Sequence, residues 1–325
     1  MFAWNKQTKD IVCVNLSKGG VMERFVKKKK KFNKAEFFFL CVILAVPIIH
    51  FLIFWLYVNF DSILMAFQYK KANKVLWGFE NYSRLWKDMH AEYSEFWMAL
   101  KNTLIFFFSN LLITLPVSLI LCYFFFKKIW GYKVFRFVFY LPSIIAASVY
   151  VVLFKYLIAT NGVLGALMES AGKEFDSLLF NVETSMPTIL FYTVMTSFGG
   201  NIILLGGAMN HIDGGIIEAA KLDGCNMFTE MVKIVIPLIW PTLSTLIIFA
   251  FVGMFSASGP ILLFLNNMAS DMEANTLSFW IYSQVYFSGE YYYPSAIGLV
   301  LTAVGYPIAM LVKWGLNKLL DTIEM

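Results

Sequence analysis

The chain has 325 residues, of which 59% are hydrophobic and 14% charged, with a mean hydropathy of +0.67 and a formal net charge of +5. Soluble domains carry about a quarter charged residues, so this composition argues against a soluble domain and predicts a membrane protein. The positive charge does not indicate a nucleic-acid binder, because the basic residues occur without interleaved aromatic side chains or a recognisable binding module.

The N-terminal segment, residues 1–34, is mostly polar and is predicted to be a basic cytoplasmic tail. Its run of lysines from Lys27 to Lys31 directly precedes the first apolar segment. A basic run in this position favours the cytoplasmic side by the positive-inside rule. The cysteines lack Cys-x-x-Cys spacing and the histidines are far apart in sequence, so we expect neither a disulfide nor a metal site.

Apolar segments of about 20 residues follow the tail, and this is the length of an α-helix that crosses a bilayer. Backbone groups in lipid must hydrogen-bond within their own segment. Residues 35–325 are therefore predicted to form an all-α polytopic membrane domain with six transmembrane helices. The predicted spans are residues 36–60, 103–126, 135–158, 187–208, 242–265 and 294–316.

The basic residues in the loops predict the orientation of the chain. An even number of spans places both termini on one side of the membrane. Lysine and arginine are frequent in the tail and in the loops after the second and fourth spans, whereas the last two loops on the other side contain almost none. We therefore expect both termini and the loop after the fourth span to be cytoplasmic.

The loop after the fourth span, about residues 209–240, has the pattern of a helix, a turn and a second helix. Asp213 is suited to cap the first helix, and Gly224 tolerates the left-handed conformation that ends it. Asn226 is suited to cap the second helix, with Glu230 in its first turn, where the helix dipole favours a carboxylate. By itself, this pattern is more often that of a solvated loop that connects two spans.

The same loop carries, in order, Glu218, Ala219, Ala220, Asp223, Gly224, Ile234 and Pro237. These residues and their spacing resemble the EAA motif of the permease subunits of binding-protein-dependent ABC importers. The resemblance implies the type I ABC importer permease fold, in which this loop is the coupling helix that docks on a cytoplasmic ATPase subunit. The residues it assigns to ATPase coupling are Glu218, Ala219, Ala220, Asp223 and Gly224. The chain departs from the family pattern at Cys225, where alanine is usual, and at Asp213-Gly214, which replaces a common proline.

Three further segments resemble the carbohydrate branch of this family, the maltose and glycerol-phosphate permeases. Residues 78–82 read Gly-Phe-Glu-Asn-Tyr, residues 96–104 contain Phe-Trp and Leu-Lys-Asn-Thr-Leu, and residues 135–142 contain Phe-Arg and Tyr-Leu-Pro. With the loop, these matches extend over most of the chain from residue 35. They imply a subunit of a bacterial plasma membrane that forms half of the pathway for a sugar or oligosaccharide delivered by an extracellular binding protein.

The subunit is expected to need partners. The sequence lacks the Gly-x-x-x-x-Gly-Lys-[Ser/Thr] loop that binds nucleotide phosphates, and it lacks an extracytoplasmic capture domain. The resemblance implies a second homologous permease subunit, two cytoplasmic ATPase subunits that hold ATP and Mg²⁺, and an extracellular solute-binding protein. We expect no catalytic residue, cofactor or metal in this chain, which is predicted to be a transport subunit and not an enzyme.

Candidate substrate-pathway residues are polar or aromatic side chains within the predicted spans. The selected residues are Asn201, Ser197, Tyr150 and Ser256, and Asn110, Tyr192 and Ser258 fit the same description. Asn201 is the first choice, because an amide inside the membrane needs a hydrogen-bond partner. For any single residue of this set, packing is the more common role.

Three other functions stay open at this point. The chain is alternatively an ABC importer permease for a non-sugar solute, an ion-coupled secondary transporter or channel, or a membrane scaffold or sensor. An ion-coupled transporter would more naturally carry ionisable residues deep within its helices, and few occur here. A scaffold leaves the Glu218 loop unexplained. A Glu218→Lys change separates an ABC importer of any cargo from the transporter or channel and from the scaffold or sensor, since only an importer predicts a loss of ATPase association.

Overall fold

The computed structural model describes residues 2–4, 11–13, 25–26, 34–71, 74–91, 94–179, 181–256, 259–265 and 275–323. The lysine run from Lys27 to Lys31 and the candidate Ser258 lie outside these residues. The chain divides into two units, Met1–Asp61 and Ser62–Met325. The predicted boundary between tail and membrane domain at residue 34 stays a prediction.

The first unit contains a small antiparallel sheet of β1 (Phe2–Trp4), β2 (Ile11–Cys13) and β3 (Phe25–Val26), with Ala3 opposite Val12. Sequence analysis did not predict these strands. Helix α1 (Lys34–His50) follows and continues through a π-helical stretch, Phe51–Tyr57. Pro47 removes one backbone donor from α1, and a local π-helical adjustment is one way in which a membrane helix accommodates proline.

Helix α2 (Val58–Ala66) continues this helix into the second unit, where a hairpin of β4 (Gln68–Lys71) and β5 (Lys74–Trp77) follows. The remaining helices are α3 (Glu80–His90), α4 (Glu95–Ser109), α5 (Leu115–Phe126), α6 (Tyr132–Ile144), α7 (Ala147–Ile158), α8 (Val163–Ser170), α9 (Val182–Asn210), α10 (Gly214–Leu222), α11 (Met227–Glu230), α12 (Ile236–Leu238), α13 (Trp240–Val252), α14 (Gly259–Leu265), α15 (Leu277–Tyr286) and α16 (Tyr292–Ile323). Two π-helical stretches, Asn110–Thr114 and Met231–Val235, join α4 to α5 and α11 to α12.

The described residues contain five or six helical segments that are long and apolar enough to cross a membrane, against the six predicted. Five such segments are Phe37–Ala66, Glu95–Phe126, Ala147–Ser170, Glu183–Asn210 and Tyr292–Leu319. A sixth span arises if the bent pair Met227–Leu238 and Trp240–Val252, which turns by 75°, is counted as one. The chain is a multi-pass, all-α membrane protein.

Two of the predicted spans are not single helices, which corrects the sequence analysis. The segment 135–158 is divided at Ile145 and Ala146, whose extended backbone (ψ 139° and 132°) separates α6 from α7. Pro142 lies near the end of α6, where its ring and missing N–H weaken the helix. The segment 242–265 is divided at Gly253, after which a short 3₁₀ turn, Met254–Ser256, precedes α14.

Helix α9 lies at the centre of the second unit and packs against α5 and α6. Gly199 of α9 permits a close approach of α6, because a Cβ added there would lie 2.6 Å from the Ser143 Cβ. Small residues commonly allow membrane helices to approach in this way. The main core cluster extends from α5 and α9 to Ile217 of α10 and to Val235, the last residue of the π-helical stretch Met231–Val235. The loop after α9 is thus packed into the core.

Candidate functional site

The residues 213–239, named here the coupling segment, form the predicted helix, turn and second helix. Asp213 caps α10 because its Oδ1 accepts a hydrogen bond from the Gly215 N–H at 3.1 Å. Asn226 caps α11 by accepting from the Thr229 N–H at 2.8 Å. Both predicted caps are confirmed, and each satisfies an N–H group that the helix leaves without an intrahelical partner.

The turn between the two helices is closed by backbone hydrogen bonds. Gly224 has φ +75°, and no atom lies within 4 Å of a Cβ built on it, so glycine is required here by conformation and not by space. The Cys225 N–H donates to the Ala220 carbonyl at 3.0 Å, and the Gly224 N–H donates to the Lys221 carbonyl at 3.1 Å. These bonds satisfy carbonyl groups of the last turn of α10.

The second half of the coupling segment is fixed by a buried ion pair. Glu230 has 1% of its surface exposed, and Lys127 Nζ lies 2.8 Å from both of its carboxylate oxygens. The Tyr123 hydroxyl lies 3.1 Å from Glu230 Oε1 and 3.0 Å from the Met227 carbonyl oxygen. Glu230, Lys127 and Tyr123 form the Glu230 cluster, which connects the coupling segment to the end of α5.

Such burial requires compensation, because removing a carboxylate from water costs several kcal/mol unless it is paired and hydrogen-bonded. Lys127 provides two charge-assisted contacts and Tyr123 a further hydrogen-bonding group. Sequence analysis gave Glu230 only a role at the helix N-terminus. It used Lys127, as one of the basic residues after the second span, only to predict the orientation of the chain and therefore missed this pair.

Four of the five residues assigned to ATPase coupling are exposed, namely Glu218, Ala219, Asp223 and Gly224. Ala220 is instead 6% exposed and packs inside the chain. The exposed face includes two large apolar side chains that sequence analysis did not select, Leu222 (89% exposed) and Phe228 (71% exposed). Glu218 forms no ion pair within the described part of the chain. The coupling segment thus presents carboxylates and apolar side chains together.

The four candidate pathway residues lie in different environments and do not form one site. Asn201 is half-buried, and Ser197 Oγ donates to the Thr193 carbonyl of its own helix at 2.7 Å. Tyr150 belongs to an aromatic cluster, with its ring centroid 5.6 Å from that of Tyr192. Ser256 is exposed at a cleft of about 360 Å³ lined also by residues of α15 and α16.

A smaller cleft, of about 180 Å³, brings together three irregular or polar positions of different helices. Asn110 begins the π-helical stretch Asn110–Thr114, Thr193 lies on α9, and Gly253 ends α13. Single-turn π-helical stretches in α-helices often mark functional positions. Sequence analysis named Asn110 but had no signal that Thr193 and Gly253 lie beside it.

Two of the three segments that suggested a carbohydrate permease, residues 78–82 and 96–104, carry buried polar contacts at the opposite end of α4–α5. Asn81 Nδ2 donates to the Gln68 carbonyl at 2.7 Å and so fixes α3 to the hairpin. Asn102 Nδ2 donates to the Asn275 carbonyl at 2.9 Å, and Thr103 Oγ1 accepts from the Leu277 N–H at 2.9 Å. These side chains position the start of α15.

Comparison with known proteins gives relatives along most of the chain, although no family model matches it. The chain is 28% identical over 271 residues to the polygalacturonan/rhamnogalacturonan transport system permease protein YteP of Bacillus subtilis (strain 168), across 81% of this chain and 83% of that protein. It is 25% identical over 264 residues to the arabinooligosaccharides transport system permease protein AraP of the same organism, across 79% and 82%.

The fold is similar to that of a chain in the crystal structure of a bacterial ABC transporter involved in the import of the acidic polysaccharide alginate. The TM-score is 0.75 at 22% sequence identity, with 86% of this chain and 96% of that chain covered. A crystal structure of the bacterial alginate ABC transporter in complex with an alginate pentasaccharide-bound periplasmic protein gives a TM-score of 0.74 at 22% identity, with 87% and 95% covered. The likeness confirms the predicted all-α, polytopic permease fold.

Proposed function

We propose that the chain is a permease subunit of a carbohydrate-type ABC importer and that it forms half of the translocation pathway for a sugar or oligosaccharide. Two relatives that align over about four fifths of the chain are named as permeases for polysaccharides or oligosaccharides. A non-sugar solute is the alternative cargo. An ion-coupled secondary transporter is the alternative mechanism.

The proposed assembly contains this subunit, a second homologous permease, two cytoplasmic ATPase subunits and an extracellular solute-binding protein. The similar alginate transporter is in complex with a periplasmic protein that holds an alginate pentasaccharide, which supports a binding protein for this chain as well. ATP and Mg²⁺ belong to the ATPase subunits in this proposal. The chain itself catalyses no covalent reaction.

The proposed location is the bacterial cell membrane, with both termini and the coupling segment in the cytoplasm. Basic residues lie between the end of α5 and the first turns of α6, beside the coupling segment. Their position supports this orientation. The four exposed coupling residues then face the cytoplasmic ATPase subunit.

One observation supports the proposed mechanism: a buried ion pair connects the coupling segment to the end of a membrane helix. Both of its helices are capped, and the Glu230 cluster ties α11 to the end of α5. A displacement of α10 by the ATPase subunit is therefore transmitted to α5 and not absorbed by a loose loop. ATP and the binding protein favour different states of the permease, and transport results from the shift between those states.

Asn201, Ser197, Tyr150 and Ser256 stay proposed pathway residues, and we add Asn110 and Thr193 of the smaller cleft. Amide, hydroxyl and aromatic groups are the side-chain chemistry that suits a sugar, since they bind hydroxyl groups and cover the faces of the ring. These residues are contributed by several helices, as expected for a chain that forms half of a pathway and meets a second permease at it.

Co-purification from the native host tests the ATPase docking. We expect the tagged wild-type chain, in mild detergent, to retain two ATPase subunits, a second permease and a solute-binding protein. Glu218→Lys places a cation on the exposed coupling face and is expected to reduce the recovered ATPase at least about tenfold. Glu174→Lys is the matched control, because Glu174 is exposed in the loop before α9. Equal ATPase recovery with both variants would contradict docking at Glu218.

A further inference from the structure

An aromatic groove lies at the junction of α5 and α6, on the outside of the helix bundle. It has a volume of about 300 Å³ and is almost entirely apolar. We call it the junction groove and define it by Phe124, Phe125, Ile129, Trp130, Tyr132 and Phe135. None of the functional residues assigned above contributes to it.

The junction groove is shaped by a tight turn of known backbone geometry. Lys128 has φ 52° and Gly131 has φ 77°, so the chain reverses between α5 and α6 through two left-handed residues. The Lys128 N–H donates to the Phe125 carbonyl at 3.1 Å, and the Tyr132 N–H donates to the Ile129 carbonyl at 3.0 Å. These bonds close the turn, and aromatic side chains of α5 and α6 line the groove on its two sides.

Four cationic side chains occur in or beside this turn in sequence, and within the described ranges only one of them forms an ion pair with a carboxylate. Lys127 is neutralised by the buried Glu230, whereas Lys128, Lys133 and Arg136 are exposed and form no ion pair within the described ranges. The sequence itself contains no aspartate or glutamate between Glu95 and Glu169. Three positive charges that the neighbouring chain does not balance therefore lie within one to three residues, in sequence, of residues that line the groove.

The end of the apolar helix α5 indicates that the groove lies at the level of the lipid headgroups. It begins where the apolar helix α5 ends, and the Lys127–Glu230 contact places it at the end of the molecule that carries the coupling segment. Trp130, one of the residues that define the groove, is 94% exposed. Tryptophan, tyrosine and basic side chains are enriched at this level of a membrane protein.

We propose that the junction groove is a binding site for an anionic phospholipid. One acyl chain occupies the aromatic groove, and the phosphate lies against Lys128, Lys133 and Arg136. The apolar lining matches an acyl chain, and the unbalanced positive rim matches a negatively charged headgroup. Basic pockets between membrane helices on the cytoplasmic side bind anionic headgroups by the same combination.

Lipid retention measured by native mass spectrometry of the purified complex tests the site. The complex is reconstituted in nanodiscs of phosphatidylglycerol and phosphatidylcholine, transferred to mild detergent and analysed for bound lipid. We expect the wild type to retain phosphatidylglycerol selectively. A triple variant, Lys128→Gln, Lys133→Gln and Arg136→Gln, should lose retention by about fivefold for each charge removed.

The matched control removes three exposed lysines from the distant hairpin, by Lys70→Gln, Lys71→Gln and Lys74→Gln. It should retain phosphatidylglycerol as the wild type does. Equal retention by both triple variants, or equal retention of the two lipids by the wild type, would overturn the proposal. A photoreactive amino acid at Trp130 gives a second readout that does not depend on the charge variants. Crosslinks to lipid support the site, whereas crosslinks to the second permease would make the groove a protein interface.

Discussion

At the residue scale, the Glu230 cluster contains the most costly charge in the described chain, since Glu230 is almost fully buried and Lys127 only slightly exposed. Breaking a buried pair leaves an unpaired charge and costs about 3–5 kcal/mol, whereas replacing both partners by apolar residues is often neutral or stabilising. We therefore expect Glu230→Leu and Lys127→Met each to lower the unfolding temperature of the complex. The double variant should recover most of the loss.

The exposed pair Arg84–Glu290, with 46% and 34% of the two side chains accessible, is the control for this cycle. Removing either partner there should change stability by less than about 1 kcal/mol. Thermal unfolding in detergent measures all variants. Single Glu230 and Lys127 variants that unfold at the wild-type temperature would show that the pair contributes little.

Local signals were sufficient for the caps of the coupling segment. Asp213 and Asn226 each bond to a backbone N–H two or three residues away, so the pattern that predicts the cap also contains its partner. The partner of Glu230 lies 103 residues away in sequence. A single sequence carries no signal for that distance. The burial of Ala220 was missed for the same reason, because the core against which it packs is built from distant helices.

At the scale of elements, the close approach of α6 and α9 depends on Gly199. A Cβ at this buried position would lie 2.6 Å from both Cβ and Oγ of Ser143. We expect Gly199→Ala to destabilise the protein by about 1–3 kcal/mol, because overpacking forces one of the two helices to move. The measurement is the unfolding temperature in detergent.

The adjacent Gly200 provides the control for this prediction, since nothing lies within 4 Å of a Cβ built on it. Gly200→Ala should be neutral or slightly stabilising, because alanine favours a helix interior more than glycine does. A loss of stability that is equal in the two variants would mean that the contact between Gly199 and Ser143 is not limiting.

Element lengths were predictable from the sequence, whereas interruptions of elements were not. Apolar length is a local property, and it predicts six membrane-crossing segments where the described residues contain five or, with one bent pair, six. The breaks at Ile145–Ala146 and Gly253 depend on how the neighbouring helices pack around these residues. Pro142 signalled a kink but not a complete division of the helix, because proline within a membrane helix is often tolerated.

At the scale of the whole molecule, one long helix separates two groups of polar contacts. The segment Glu95–Phe126 has 32 residues, which corresponds to roughly 48 Å at the rise of an α-helix. Asn102 and Thr103 lie near its beginning, and the Glu230 cluster and the junction groove lie at its end. A displacement at the coupling segment therefore acts on a helical segment that extends from the Glu230 cluster to the contacts of Asn102 and Thr103.

The proposed transport class could be predicted from the sequence because the EAA-like loop is contiguous, and four of its five selected residues are exposed. The candidate pathway residues were less readable. Their selection used only polarity within an apolar span, whereas the structure distributes them among a helix backbone, an aromatic cluster and an open cleft. In the proposed assembly two different subunits line the pathway, and either sequence alone would contain only half of it.

The most direct test of the account is uptake of a labelled oligosaccharide into proteoliposomes that contain the complete purified complex and the binding protein. ATP is supplied inside or omitted, and an ion gradient is imposed or removed. We predict uptake only with internal ATP, independent of the gradient, and lost in the Glu218→Lys complex. Uptake by this chain alone, driven by the gradient without ATP, would contradict the importer mechanism and identify an ion-coupled transporter.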